Sequence, residues 1–90
     1  MGALLVVKHD VADFGQWHAG YSAMAQTQKD MGVREESVHQ APGQPNTVLV
    51  LHSFDSVDAA NAFLAAPELA EAMQKFGVVG EPRIEVYSTP

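Results

Sequence analysis

Four consecutive aliphatic residues, Val48, Leu49, Val50 and Leu51, occupy the middle of residues 47–54. A strand points successive side chains to opposite faces, so this one is apolar on both, and both faces of its sheet must be covered. That is demanding in a chain of 90 residues. A chain of this size forms one domain and buries only about 60–70% of the surface its unfolded form exposes. A single domain over residues 1–90 is therefore expected, and association with a second copy would help complete its core.

The remaining elements follow from periodicity and punctuation. Leu4 to Val7 form a run of strand length, closed by the turn-prone Asp10 and Asp13, which predicts a first strand over residues 3–9. Asp13 then stands as an N-cap, with Gln16 three residues on, and Trp17, Tyr21, Met24, Gln28 and Met31 recur at helical spacing up to Gly32. This predicts one amphipathic helix, held by packing because Gly15 and Gly20 lower its propensity. Residues 33–40 read as a second strand, separated from residues 47–54 by the turn cluster Ala41-Pro42-Gly43-Gln44-Pro45-Asn46. Asp55 or Ser56 caps a second helix bearing Ala60, Phe63 and Leu64; Pro67 breaks it, and Gly77 ends its continuation through Leu69, Met73 and Phe76. Gly80 and Pro82 suggest a turn before a last strand over residues 83–87.

The order β-α-β-β-α-β is the split βαβ, an α+β ferredoxin-like arrangement in which both helices cover one face of a four-stranded antiparallel sheet. The opposite face carries Leu4, Val6, Leu49 and Leu51, too large an apolar patch to leave in water. A homodimer packed sheet against sheet would cover it.

Several segments carry a resemblance over nearly the whole chain: His9-x-Val11-x-Asp13-Phe14-x-x-Trp17, Pro45-Asn46-Thr47-Val48, Phe54-Asp55-Ser56 followed by Ala59-Ala60, and Gly77-Val78-Val79-Gly80-Glu81-Pro82. In these the chain resembles the small dimeric α/β-barrel proteins, a superfamily that includes antibiotic-biosynthesis monooxygenases, muconolactone isomerases and small polyketide cyclases. The resemblance implies a cleft between the helices and the concave sheet face, taking a hydrophobic, aromatic or polyketide-like molecule without metal or cofactor. The motifs mark the fold and do not identify a reaction.

Charge narrows the partners. Five basic residues scattered among eleven acidic ones give a net charge of −6, which argues against nucleic acid and against an anionic membrane surface, since both reward clustered Lys and Arg. The N-terminal apolar run stops at strand length and reads as neither a signal peptide nor a membrane span. With no cysteine there is neither disulfide nor thiolate chemistry, in keeping with a cytoplasmic location.

Four histidines are the main chemical signal. Strand parity places His9 with Leu5 and Val7, and His52 with Val48 and Val50, so both can face the helices. Each reads either as a strand-end histidine bonded within the fold or as a base, because burial in an apolar cleft keeps imidazole neutral and able to take a proton from a phenol or activated methylene. The direction of His39 depends on whether a bulge resets the second strand, since Glu35 would share its side. His18 falls at the edge of the buried helical stripe. A three-histidine metal site from His9, His39 and His52 lacks any ligand-spacing signature, so no metal is expected. Trp17 and Tyr21 share a helix face with Gln28, whose polar group is out of place on an apolar stripe; these residues serve core packing or line a ligand pocket. Phe63, Met73 and Phe76 are walls. Glu35, Glu36, Glu68 and Glu71 read as solvated charges.

No phosphate loop, HExxH pair, GxSxG elbow or cysteine nucleophile is present. The expectation is a cofactor-independent enzyme acting on a small aromatic or polyketide-like substrate by proton abstraction. His9 or His52 would be the base, and Trp17, Tyr21, Gln28, His39 and Phe63 would contact the substrate. Cyclisation, isomerisation and oxygenation by dioxygen are all compatible fates of the carbanion. The alternative is a non-catalytic ligand-binding or assembly module of the same fold.

Overall fold

The doubly apolar strand lies inside the sheet, as its composition demands. The computed structural model describes residues 2–90; Met1, at the start of the N-terminal apolar run, lies outside them. In chain order the elements are β1 (Gly2–Val11), α1 (Phe14–Ala23), α2 (Ala25–Asp30), β2 (Glu35–Ala41), β3 (Gln44–Phe54), α3 (Val57–Ala65), α4 (Pro67–Lys75) and β4 (Val78–Thr89). The four strands form one antiparallel sheet in the order β2-β3-β1-β4. This is the expected ferredoxin-like arrangement, with each of its two helical segments broken in two.

One sheet face is packed under the helices. Leu5, Val7, His9 and Val11 of β1, with Val48, Val50, His52 and Phe54 of β3, are buried there against Trp17 of α1 and Ala60 and Phe63 of α3. Burying each large side chain of this set contributes on the order of 1.5–3 kcal/mol, which offsets the two glycines of α1. The other face carries Leu4, Val6, Leu49 and Leu51 only partly buried, with Tyr87 beside them 52% exposed.

The differences from expectation have local causes. The first helix does not run unbroken to Gly32; it turns at Met24, whose N–H donates to Tyr21 O in a tighter turn, and α2 begins anew. Asp13 caps α1 as expected, Oδ2 accepting from the Gln16 N–H at 2.9 Å. Gly20 is required by packing, because a Cβ there would lie closer than 3.0 Å to the Phe76 ring. Ser56, not Asp55, caps α3, and Pro67 opens α4. The expected turn at Gly80 and Pro82 is instead a bulge within one long strand: pairing jumps from Lys8–Arg83 to Asp10–Val79, and Gly80 takes φ +72°. Likewise β3 starts at Gln44, and the hairpin turn shrinks to Pro42-Gly43. Pro45-Asn46-Thr47 then bulges out of the ladder with β2, and Asn46 Oδ1 accepts from the Phe14 N–H at 2.9 Å, clipping the bulge to the start of α1.

Candidate active site

Between the helices and the packed sheet face lies a half-open cavity of about 70 Å³, lined by His9, Trp17, Tyr21, Gln28, His52 and Phe63 and flanked by Leu69, Met73 and Phe76. Both histidines stand where strand parity put them. β1 and β3 are aligned with Leu5 opposite His52 and Val7 opposite Val50, so His9 lies four residues along from His52, roughly 13 Å at strand rise. They occupy two ends of the lining and do not form a dyad.

Aromatic rings connect the two ends. His9 meets Trp17 edge-on at 5.3 Å between centroids, Trp17 stacks on Tyr21 at 4.9 Å, and Tyr21 lies nearly parallel to His52 at 6.0 Å. Phe63 closes the His52 end edge-on at 5.4 Å. The i, i+4 spacing of Trp17 and Tyr21 on α1 produces the stack.

The polar centre is the Tyr21 hydroxyl, 2.8 Å from Glu36 Oε2 and 2.8 Å from His52 Nε2. A hydroxyl has one proton to give. Donated to the Glu36 carboxylate, it leaves the tyrosine oxygen to accept from an Nε2–H of His52. The other ring nitrogen, Nδ1, is buried without a partner, as is His9 Nδ1. Burial lowers the His52 pKa to about 4, against a smaller upward pull from the Glu36 charge. His9 is shifted down for the same first reason, with the pull of its own backbone and of the Asp10 charge acting against it. Burial raises the Tyr21 pKa, the Glu36 hydrogen bond and charge add to this, and Gln28 offsets part. The site therefore holds two neutral imidazoles and a neutral phenol at pH 7.

His39 is a correction. It pairs with Leu49 on the helix-free face, is exposed and bonds Ser37 Oγ at 3.0 Å, so it does not line the cavity. The bulge at Pro45-Asn46-Thr47 settles the parity of β2, sending Glu35, Ser37 and His39 outward and Glu36 inward. Glu36 is the residue that sequence reasoning missed, and Glu68, also read as a solvated charge, reaches the cavity lining. His18 is exposed and stacks on Phe14 at 5.2 Å. Among the described residues no three His, Cys, Asp or Glu side chains cluster as metal ligands, and no helix is long and apolar enough to cross a membrane.

No protein-family model matches the sequence, and no curated protein matches it either. Solved structures do match its fold. SnoaB, a cofactor-independent oxygenase from Streptomyces nogalater, aligns at 11% identity and TM-score 0.80 over 99% of this chain and 93% of its own. The ActVA-Orf6 monooxygenase of Streptomyces coelicolor, solved with the ligand nanaomycin D, aligns at 19% identity and TM-score 0.68 over 99% and 88%. A conserved protein from Methanosarcina mazei Go1 aligns at 15% identity and TM-score 0.79 over 100% and 94%. At these identities the match establishes a shared fold, that of the antibiotic-biosynthesis monooxygenase structures.

Proposed function

We propose that the protein is a cofactor-independent enzyme that removes a proton from a small aromatic or polyketide-like substrate, with His52 as base. The observation that carries this reading is the environment of His52. It is a neutral, 4% exposed imidazole with an unpartnered Nδ1, on the wall of an aromatic cavity. Buried polar atoms are nearly always paired, so an unpaired one in a residue that lines a cavity supports a ligand group as its missing partner, reached once the wall shifts. SnoaB, as a cofactor-independent oxygenase, and the ActVA-Orf6 monooxygenase, in its complex with nanaomycin D, support the same reading. His9 at the far end would hold a second polar group of the substrate, while Trp17 and Tyr21 stack on its ring and Gln28 orients it. Proton loss gives a carbanion that adds internally, is reprotonated elsewhere or reacts with dioxygen.

A cavity of about 70 Å³ is small beside ligand sites of roughly 300–1,000 Å³. The wall that would yield is α4, which buries none of its residues fully and meets the cavity through the flexible Met73 with Leu69, with Phe76 just past its end. The same small volume favours a second reading, a non-catalytic module whose interior stays closed. The apolar outer face is assigned in both readings to a homodimer, sheet against sheet.

Mass spectrometry of molecules co-purifying with the protein, followed by turnover without added cofactor, decides between them. The enzyme reading expects a bound aromatic that is consumed, and a rate about 10²–10⁴-fold lower in His52→Ala. Turnover unchanged in that variant removes His52 from the mechanism; an empty, inert protein supports the second reading.

A further inference from the structure

Glu36, Tyr21 and His52 form a graded series. His52 is buried, Tyr21 half-buried and Glu36 exposed, and the three are joined by the two 2.8 Å hydrogen bonds through the tyrosine hydroxyl. A second, open groove of about 370 Å³ shares Tyr21 and Gln28 with the cavity and is lined besides by His18, Ser22, Glu36 and Ser37. Tyr21 belongs to the lining of both, so its hydroxyl is a hydrogen-bonded link between an apolar cavity and an outer surface.

We propose that Glu36 is a positioning residue: through Tyr21 it holds His52 with its proton on Nε2 and Nδ1 bare, and the three groups carry protons between His52 and the outer groove. The role rests on the reading of His52 as the base. A proton taken by Nδ1 breaks a bond to hydrogen in the substrate and makes imidazolium. The Nε2–H then passes to the tyrosine oxygen as the original phenolic proton passes to Glu36. Neutral His52, now protonated on Nδ1, and a Glu36 carboxylic acid result, and the acid gives its proton to water. The reverse shift, loaded from water at Glu36, lets Nδ1–H protonate the product and restores the starting tautomer, so the cycle balances. A phenol whose own ionisation is suppressed suits a link that gains one proton as it loses another. The other titratable groups facing these three are His18 of α1 in the groove, and His9 of β1 and Glu68 of α4 in the cavity.

The tautomer can be read without a substrate, by ¹⁵N NMR of the imidazole nitrogens in the intact protein at neutral pH. The wild type is expected to show His52 Nε2 protonated and Nδ1 bare. Tyr21→Phe and Glu36→Gln are expected to shift the Nδ1 resonance toward the protonated position, while Glu35→Gln, on the opposite face, leaves it unchanged. A wild type with the proton on Nδ1, or a tautomer unchanged in both variants, overturns the proposal whatever turnover shows. A correct tautomer response with full turnover in His52→Ala instead overturns the choice of base, and with it the relay's role in transferring substrate protons.

Discussion

Glu36 and His52 are direct cross-strand partners of β2 and β3, and both face the helices, where the Tyr21 hydroxyl bridges them. Directly opposed side chains lie about 4.5–5.5 Å apart at Cβ, so the strand register itself brings a carboxylate up to a buried imidazole. The hydroxyl from α1 completes the arrangement.

The depressed pKa of His52 has a thermodynamic consequence. Its folded-state value of about 4 lies below the ordinary 6.5, so on acidification the unfolded chain takes up the proton first. Stability from this group is complete above about pH 6.5 and falls between 6.5 and 4, by on the order of 3 kcal/mol at most, with His9 acting in the same direction. Asp55, held below its ordinary 3.8 by the hydrogen bond from Arg34, loses its contribution only in more acid solution. Urea unfolding at pH 7, 5.5 and 4.5 should show the decline, and His52→Phe should flatten most of it.

Tyr21→Phe keeps the ring stacked on Trp17 and deletes the bridge, leaving His52 Nε2 without its partner. A loss of about 1–2 kcal/mol is expected in chemical denaturation. A loss near zero would mean that water replaces the hydroxyl at this position.

Gly20→Ala should destabilise despite the better helix propensity of alanine, because the new methyl meets the Phe76 ring. The cost expected is about 1–3 kcal/mol. In Phe76→Ala the same substitution should become neutral or favourable by up to about 1 kcal/mol, and the double-mutant cycle measures the coupling.

Leu49 and Leu51 lie on the helix-free face. Leu51→Lys should convert a wild-type dimer to monomer in sedimentation equilibrium, since a buried unpaired charge costs several kcal/mol. A monomeric wild type at high concentration would contradict the sheet-to-sheet assembly.

How far the site can be read from the sequence depends on where register is decided. His9, His52, Trp17 and Tyr21 are legible because parity within a strand and i, i+4 spacing within a helix are local properties. Glu36 is not. Counting back from the closing pair Ala41–Gln44 would set it opposite Leu49, on the outer face. The bulge at residues 45–47 moves its partner to His52 and turns it inward. That bulge is held by bonds to distant groups: Asn46 with Phe14, and the Thr47 hydroxyl donating to Asp10 Oδ1 at 3.0 Å. The misplacement of His39 has the same origin. The ferredoxin-like order survives these shifts, because it rests on the apolar run in β3 and on the cap signals at Asp13, Ser56 and Pro67.

Removal of a proton by His52 from a bound aromatic or polyketide-like molecule can be followed by hydrogen exchange. The protein is incubated in D2O, without added metal or cofactor, with the co-purifying ligand or a phenol bearing an activated methylene. Deuterium entering the activated position is followed by NMR in the wild type and in His52→Ala. Catalysed exchange is expected in the wild type, falling about 10²–10⁴-fold in the variant. Exchange at the wild-type rate in His52→Ala would contradict His52 as the base.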